Sequence, residues 1–175
     1  MNRTLDATEL AAGVRKLAGE IRTRNGGGKF ALVGIRSRGD EVAERVRANL
    51  AGETIDFGVL DISLYRDDFE HLRENPTLQG TDLPFTVDGA HIILIDDVLF
   101  TGRTVRAALD AISHYGRPAK VELAVLVDRG HRELPIQPDY IGIRLDTHRG
   151  DHVSVSLQKT DGEDKVRIES KDTSP

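Results

Sequence analysis

The 175-residue chain contains no cysteine. A disulfide framework, a thiolate nucleophile and a zinc–thiolate site are all excluded, and a reducing cytoplasm is the setting that suits it. Its first ten residues, MNRTLDATEL, lack an apolar segment, and no long apolar run follows. Both facts argue against a signal peptide and against membrane spanning. Excess positive charge is missing as well. The formal net charge is −5, which argues against a non-specific nucleic-acid binder, because such binding rests on neutralising phosphates. Internal repeats are absent. The six histidines (71, 91, 114, 131, 148 and 152) show no ligand-like spacing with carboxylates, and no side chain stands out as a general base.

What remains is a globular composition, 38% hydrophobic and 30% charged. At this length one domain is expected, burying about two thirds of its unfolded surface. The charge is uneven. The first 50 residues hold ten Lys/Arg against six Asp/Glu, a local net of +4, so a specific anionic partner at that end is compatible with an acidic whole; two solvated helix faces would read the same way.

Along the chain, Asp6 and Glu9 form a capping box, and Leu10, Val14, Leu17 and Ile21 space out the apolar stripe of a first helix. The glycines of NGGGK (25–29) stop it in a left-handed C-cap. FALVGI (30–35) reads as a buried strand and RSRGD as a turn. A second helix runs through Val42, Val46 and Leu50, and TIDFGVLDISLY is β-rich. Residues 66–90 are polar and aperiodic, which fits a lid or binding loop, a segment with a short hairpin, or a plain surface insertion. The alternation then resumes: a strand at 92–95, and a helix over 103–115 with Val105, Ala108, Leu109 and Ile112 on one side. Gly116 and Pro118 end that helix. KVELAVLVD (120–128) is a second unbroken apolar strand, and β-like pieces follow at YIGIRL, HVSVSL and KVRIE. Unbroken apolar strands alternating with helices predict a parallel sheet covered on both faces.

The chemistry concentrates in IILIDDVLFTGRT (92–104). Ligands of open parallel sheets sit beyond the carboxyl ends of the strands, where Asp96 and Asp97 are expected. An unpaired carboxylate couple there is costly to desolvate, so a metal ion, sugar hydroxyls or a cationic side chain must satisfy it. The following residues lead into a helix N-terminus, where backbone N–H groups and the Thr101 and Thr104 hydroxyls converge into an anion cradle and Gly102 permits close approach. A sugar phosphate fits both halves. The run is not a Walker loop, which requires a lysine after its glycines, nor the dinucleotide fingerprint.

This run resembles the signature for 5-phosphoribosyl-1-pyrophosphate (PRPP) in type I phosphoribosyltransferases. More narrowly, the chain is similar to the PyrR family, pyrimidine-operon attenuation regulators that double as uracil phosphoribosyltransferases. The resemblance is also carried by LVGIRSRG (32–39), DISLYRDD (61–68), GTDLPF (80–85), GRPAKVELAVLVDRGHRELPI (116–136) and DYIG (139–142). LYRDD and DRGHRELPI set this family apart from the purine enzymes.

The resemblance implies the type I phosphoribosyltransferase fold: an α/β domain over 1–175, with a central, mostly parallel sheet, a flexible flap near 66–90 and a small hood near 143–170. It implies that PRPP is bound by Ser37, Arg38, Ile92, Ile93, Leu94, Ile95, Asp96, Asp97, Val98, Leu99, Phe100, Thr101, Gly102, Arg103, Thr104, Asp128 and Arg129. Asp96 and Asp97 would hold the ribose hydroxyls and 101–104 the 5-phosphate. Ser37 and Arg38 would meet the leaving pyrophosphate, and Arg66 would cover it beside Asp67 and Asp68 of the flap. Asp96, Asp97, Arg66 and Arg38 are the implied catalytic residues. Mg²⁺ would accompany PRPP, with Asp128 near the metal and Arg129 near phosphate. Thr147, Arg149 and Val153, with Asp151, would hold uracil or UMP; Arg15, Lys16 and Arg132 would meet leader mRNA. UMP or UTP is the implied signal, and a dimer or larger homo-oligomer the implied assembly.

The chain departs from the family pattern in two places. In DTHRGD (146–151), Asp146, His148 and Gly150 replace the family's residues, which bears on uracil affinity. On the first helix, Arg15, Lys16 and Gly19 stand where the family has threonine, arginine and, three residues on, histidine, which bears on base-specific RNA contacts. The expected activity is conversion of uracil and PRPP to UMP and pyrophosphate, with RNA-binding regulation beside it. The alternatives are a nucleotide-sensing RNA regulator with little catalysis, or transfer to another base.

Overall fold

The structure is a computed structural model that describes residues 2–66 and 80–171. The expectations for Asp67, Asp68 and most of the flap lie outside the described residues.

Five parallel strands form the central sheet: β2 (Phe30–Ile35), β3 (Ile55–Leu60), β4 (His91–Leu99), β5 (Lys120–Asp128) and β6 (Tyr140–Arg144), in the order β3-β2-β4-β5-β6. Helices α1 (Ala7–Asn25) and α2 (Gly39–Ala48) pack on one face and α3 (Arg103–Ser113) on the other. This is the covered, doubly wound arrangement that the unbroken apolar strands predict. Two aliphatic clusters result, one around Leu17, Val42 and Ile93, the other around Val33, Leu94 and Ala108.

A second, antiparallel sheet of three strands forms the hood: β1 (Arg3–Leu5), β8 (Lys165–Glu169) and β7 (His152–Ser156), in that order, with a short α4 (Gln158–Asp161) between β7 and β8. The N-terminus thus contributes a strand that three residues of sequence do not announce. Among the described residues, no helix is long and apolar enough to cross a membrane.

Local reading held where pattern was strong. Asp6 and Glu9 form the reciprocal capping box, at 2.9 and 3.0 Å, and Leu10, Val14, Leu17 and Ile21 are all buried. Three expectations need correction. The cap at the end of α1 is not left-handed: Gly26 has φ −54°, and the positive φ of 82° falls one residue later, at Gly27. Leu109 is 38% exposed; Ala107 and Ala111 complete the buried face of α3 instead. The strand expected at 92–95 continues to Leu99.

That last extension positions the site. Pairing of β4 with β2 ends at Ile95, whereas pairing with β5 continues through Leu99 opposite Asp128. Asp96 and Asp97 therefore lie inside β4, but on the stretch that overhangs β2, over the start of α2.

Candidate active site

The overhang is filled by the loop joining β2 to α2. Gly39 opens α2 so close to β4 that an added Cβ would stand 2.6 Å from the Ile95 carbonyl oxygen and 3.1 Å from the Asp96 Cα. Only glycine lets the 36–38 loop, with Ser37 exposed, rest against the two aspartates.

Asp96 is 4% exposed. Burial and the adjacent Asp97 carboxylate push its carboxyl well above the ordinary carboxylate range, with Arg66 pulling the other way. Asp97 is also pushed up by burial, while hydrogen bonding with Asp96 and the charge of Arg38 act in the opposite direction. The Asp97 N–H donates to Asp96 Oδ1 at 2.9 Å. Two coupled carboxyls at the end of a parallel sheet form a hydrogen-bonding couple suited to a vicinal diol.

Asp96 borders a cavity of about 250 Å³, walled also by Arg66, Val98, Leu99, Phe100, Thr101, Gly102, Arg103 and Thr104. The carboxylate and the predicted anion cradle thus share one cavity. Its turn is built by Gly102, whose φ of 95° places it in the left-handed region that favours glycine. Thr101 Oγ1 accepts from the Arg103 N–H at 3.3 Å. The Thr101 carbonyl accepts from the N–H groups of Glu133 and Leu134, so the 129–136 loop braces the cradle from behind. Positive partial charge at the α3 N-terminus gives this end the electrostatics that suit an anion.

The remaining predicted residues fall in three settings. Arg38, at φ 75° before α2, is paired with Asp161 of the hood. Asp128 ends β5, and its Oδ1 accepts from Gly130 N and Arg132 Nη2. Arg132 is turned inward: it also donates to the carbonyls of Phe100 and Ile136 at 3.0 Å each, with only 17% of its side chain exposed. These bonds tie the 129–136 loop to the residue preceding Thr101. Arg129 lies 3.9 Å over the Phe100 ring and donates to the carbonyls of His148, Arg149 and Asp151; its donors serve the 148–151 loop, and burial lowers its pKa. Thr147 donates to the Arg129 carbonyl at 2.9 Å, and Val153 packs against the core.

Sequence reasoning missed Glu133, which pairs with Arg149 at 3.0 Å and Arg103 at 3.8 Å across the cavity rim. It also missed His131, whose ring meets the Thr147 carbonyl at 2.7 Å. The segment DRGHRELPI contains both, so the signal was present, but pairings over about sixteen residues have no local period. His91 pairs with the buried Glu122 at 2.6 Å at the opposite end of the sheet.

Among the described residues no group of three His, Asp or Glu gathers as a metal cage. Mg²⁺ held through substrate phosphates needs no such cage, because it retains waters and takes only one or two carboxylates. A single carboxylate such as that of Asp128 is the kind of oxygen ligand that hard cation takes.

Residues 2–160 match the phosphoribosyl transferase domain family. The chain is 49% identical over 168 residues to the bifunctional protein PyrR of Pelotomaculum thermopropionicum, covering 94% of this chain and 93% of that protein. The chain belongs to the PyrR family of phosphoribosyltransferases. The bifunctional protein PyrR of Chloroflexus aurantiacus is 52% identical, over 94% of this chain and 92% of its own. Among solved structures, a hypoxanthine-guanine phosphoribosyltransferase from Bacillus anthracis superposes with a TM-score of 0.71 at 14% identity, covering 96% of this chain and 97% of its own. A hypoxanthine-guanine-xanthine phosphoribosyltransferase gives 0.70 at 14% identity, over 99% and 97%. At such identity the likeness establishes the fold alone.

Proposed function

We propose that this PyrR-family chain transfers the phosphoribosyl group of PRPP to uracil, giving UMP and pyrophosphate, and that it also binds leader RNA of pyrimidine genes in response to uridine nucleotides. One observation carries the catalytic half: the buried Asp96, hydrogen-bonded to its neighbour Asp97, and a helix-N-terminal anion cradle share one cavity of about 250 Å³, with Arg66 on its wall. The cradle takes the 5-phosphate, and Asp96 and Asp97 take the ribose hydroxyls. The pyrophosphate end then lies toward Ser37, Arg38 and Arg66. Displacement at the anomeric carbon builds positive charge on the sugar, which the carboxylates offset, and negative charge on the leaving group, which the arginines offset. Mg²⁺ bound with PRPP would neutralise pyrophosphate, with Asp128 within the same loop system.

The base would rest against the 147–151 loop and Val153 of β7. Of the family's contacts there, Thr147 keeps its hydroxyl and Arg149 its charge, but both are already engaged within the chain.

For regulation, Arg15 and Lys16 are both exposed on α1. Beside them Gly19 has open space where a side chain would stand. The chain thus offers charge for phosphates on that face and fewer groups for reading bases.

Incubation with PRPP, Mg²⁺ and labelled uracil, hypoxanthine or orotate tests the catalytic reading. UMP from uracil alone is expected; product from a purine, or loss of no activity in Asp97→Asn, overturns it. Gel-shift titration of leader RNA with and without UMP tests the second half.

A further inference from the structure

Arg38 is held by a residue 123 positions away. Its Nε donates to Asp161 Oδ2 at 3.0 Å, and its Nη2 to Asp161 Oδ1 at 2.7 Å. Asp161 is itself fixed before it meets the arginine. Its Oδ2 accepts from the Leu157 N–H at 2.9 Å, and its own N–H donates to the Leu157 carbonyl at 2.6 Å. The aspartate is therefore a rigid post at the end of α4, and the side-on pairing fixes the plane of the guanidinium as well as its position.

The pairing spends one edge of the fork. A guanidinium carries five N–H donors; the Nε and one Nη2 hydrogen go to Asp161, which leaves the Nη1 hydrogens and the second Nη2 hydrogen as another two-pronged edge. Arg38 immediately precedes Gly39, whose position packs against Asp96 at the start of α2, so it joins Asp161 to that end of β4. Arg38 has a positive φ and starts α2 without a side-chain cap, so its backbone alone does not aim the long side chain.

We propose that Asp161 is a positioning residue for pyrophosphate, holding one edge of Arg38 so that the other presents a preset bidentate donor to the leaving group. This rests on the phosphoribosyltransferase reading above and adds to it a link between the hood, which carries the base side, and the leaving-group side. Rigid placement of a two-pronged donor lowers the ordering cost of binding a phosphate. Without its post, the arginine must be ordered afresh by each substrate.

Steady-state kinetics of Asp161→Asn test this. The amide sets an NH₂ or a neutral oxygen against the fork in place of a carboxylate. The KM for PRPP and the inhibition constant for pyrophosphate are expected to rise about 5- to 30-fold, the effect of one weakened charge-assisted pair, while the KM for uracil stays within about twofold. Asp161→Glu, which restores the carboxylate, is expected to recover part of the loss. Equal rises in both KM values with a lowered Tm would mean a loosened hood and would overturn the proposal, as would unchanged PRPP and pyrophosphate constants. If the wild-type chain turns over no base, the phosphoribosyltransferase reading falls. Calorimetric titration of magnesium pyrophosphate into both proteins then decides the matter for Asp161 alone: weaker binding by the variant supports the post, and equal binding overturns it.

Discussion

The guanidinium of Arg129 lies 3.9 Å above the Phe100 ring, joining the residue that precedes Thr101 to the 148–151 loop. Arg129 is only 3% exposed, and it spends its donors on the backbone carbonyls of His148, Arg149 and Asp151. Its Nε is buried without a hydrogen-bond partner, so the stack on Phe100 offsets part of the cost of keeping the cation out of water. The arrangement converts one buried charge into the shape of the 148–151 loop.

Arg129→Lys keeps the charge but has neither a planar face for Phe100 nor a fork for three carbonyls. It is expected to lower stability by about 2–4 kcal/mol, from lost charge-assisted bonds and lost stacking. It should raise the KM for uracil about tenfold and change that for PRPP much less. Thermal denaturation and the two KM values check this; a larger effect on PRPP would place Arg129 on phosphate instead.

Arg129 also shows what sequence pattern can and cannot reveal. The candidate site, 92–104, was legible because all its chemistry is local: apolar run, carboxylates, hydroxyls and helix start follow one another, and Asp96 and residues 98–104 line one cavity. The central sheet was legible because strands buried on both faces must be continuously apolar. The hood's role was not. Arg38–Asp161 and Glu41–Thr160 join residues about 120 positions apart, and polar pairing at that range leaves no periodicity. Nor did Arg129 betray its direction, since a strand-end arginine can face phosphate or its own backbone equally well. β1 has three residues, too few to show alternation.

Gly39→Ala tests whether the 36–38 loop must touch β4. The added methyl would meet backbone atoms of Ile95 and Asp96 at 2.6 and 3.1 Å, and neither can swing aside, so the loop must lift. A cost of about 1–3 kcal/mol is expected, with PRPP affinity reduced about tenfold or more in calorimetry with magnesium. Gly19→Ala is the contrasting case. Nothing lies within 4 Å of its new methyl, and replacing an exposed mid-helix glycine should stabilise the chain by about 1 kcal/mol. An unchanged PRPP affinity in Gly39→Ala would remove the argument for close packing.

Glu41 ties α2 to the hood. Although it is 5% exposed, it accepts from Lys159 N, Thr160 N, Thr160 Oγ1 and Arg45 Nη2 at 2.8–3.1 Å. Burial opposes its ionisation, but these donors prevail and hold its pKa below the ordinary value. Asp161 and Asp164 are held low by Arg38 and Arg45. A carboxylate with a depressed folded pKa stabilises the fold above its unfolded value, about 3.9 for Asp and 4.3 for Glu, and that contribution is lost as pH falls through the folded pKa. The hood should therefore loosen below about pH 4, seen as faster amide exchange in 152–169 before exchange in the central sheet. Glu41→Gln should cost about 3 kcal/mol at neutral pH, as a buried pair loses one charge, and should flatten the acid decline. An equally steep decline would assign the acid sensitivity elsewhere.

Asp96 has the opposite sign. Its pKa is raised, by burial first and by Asp97 second, so the folded chain keeps a proton that the unfolded chain releases at about pH 3.9. Stability must then fall as pH rises from that value to the folded pKa, and level off above it. The ligand-free protein thus carries a penalty at neutral pH, which hydrogen bonds from a bound diol would relieve. Asp96→Asn removes the titrating group while retaining an oxygen for the Asp97 N–H, which donates at 2.9 Å. In the absence of ligand the variant should match wild type at about pH 4, become more stable than it as pH rises above that value, and hold a constant advantage once the folded pKa is passed. Adding PRPP and magnesium should reverse the order, raising the Tm of wild type far more than that of the variant. A ligand-free Asp96→Asn that is less stable than wild type at pH 7 would show the couple to be a structural pair, with no strain held in reserve for substrate.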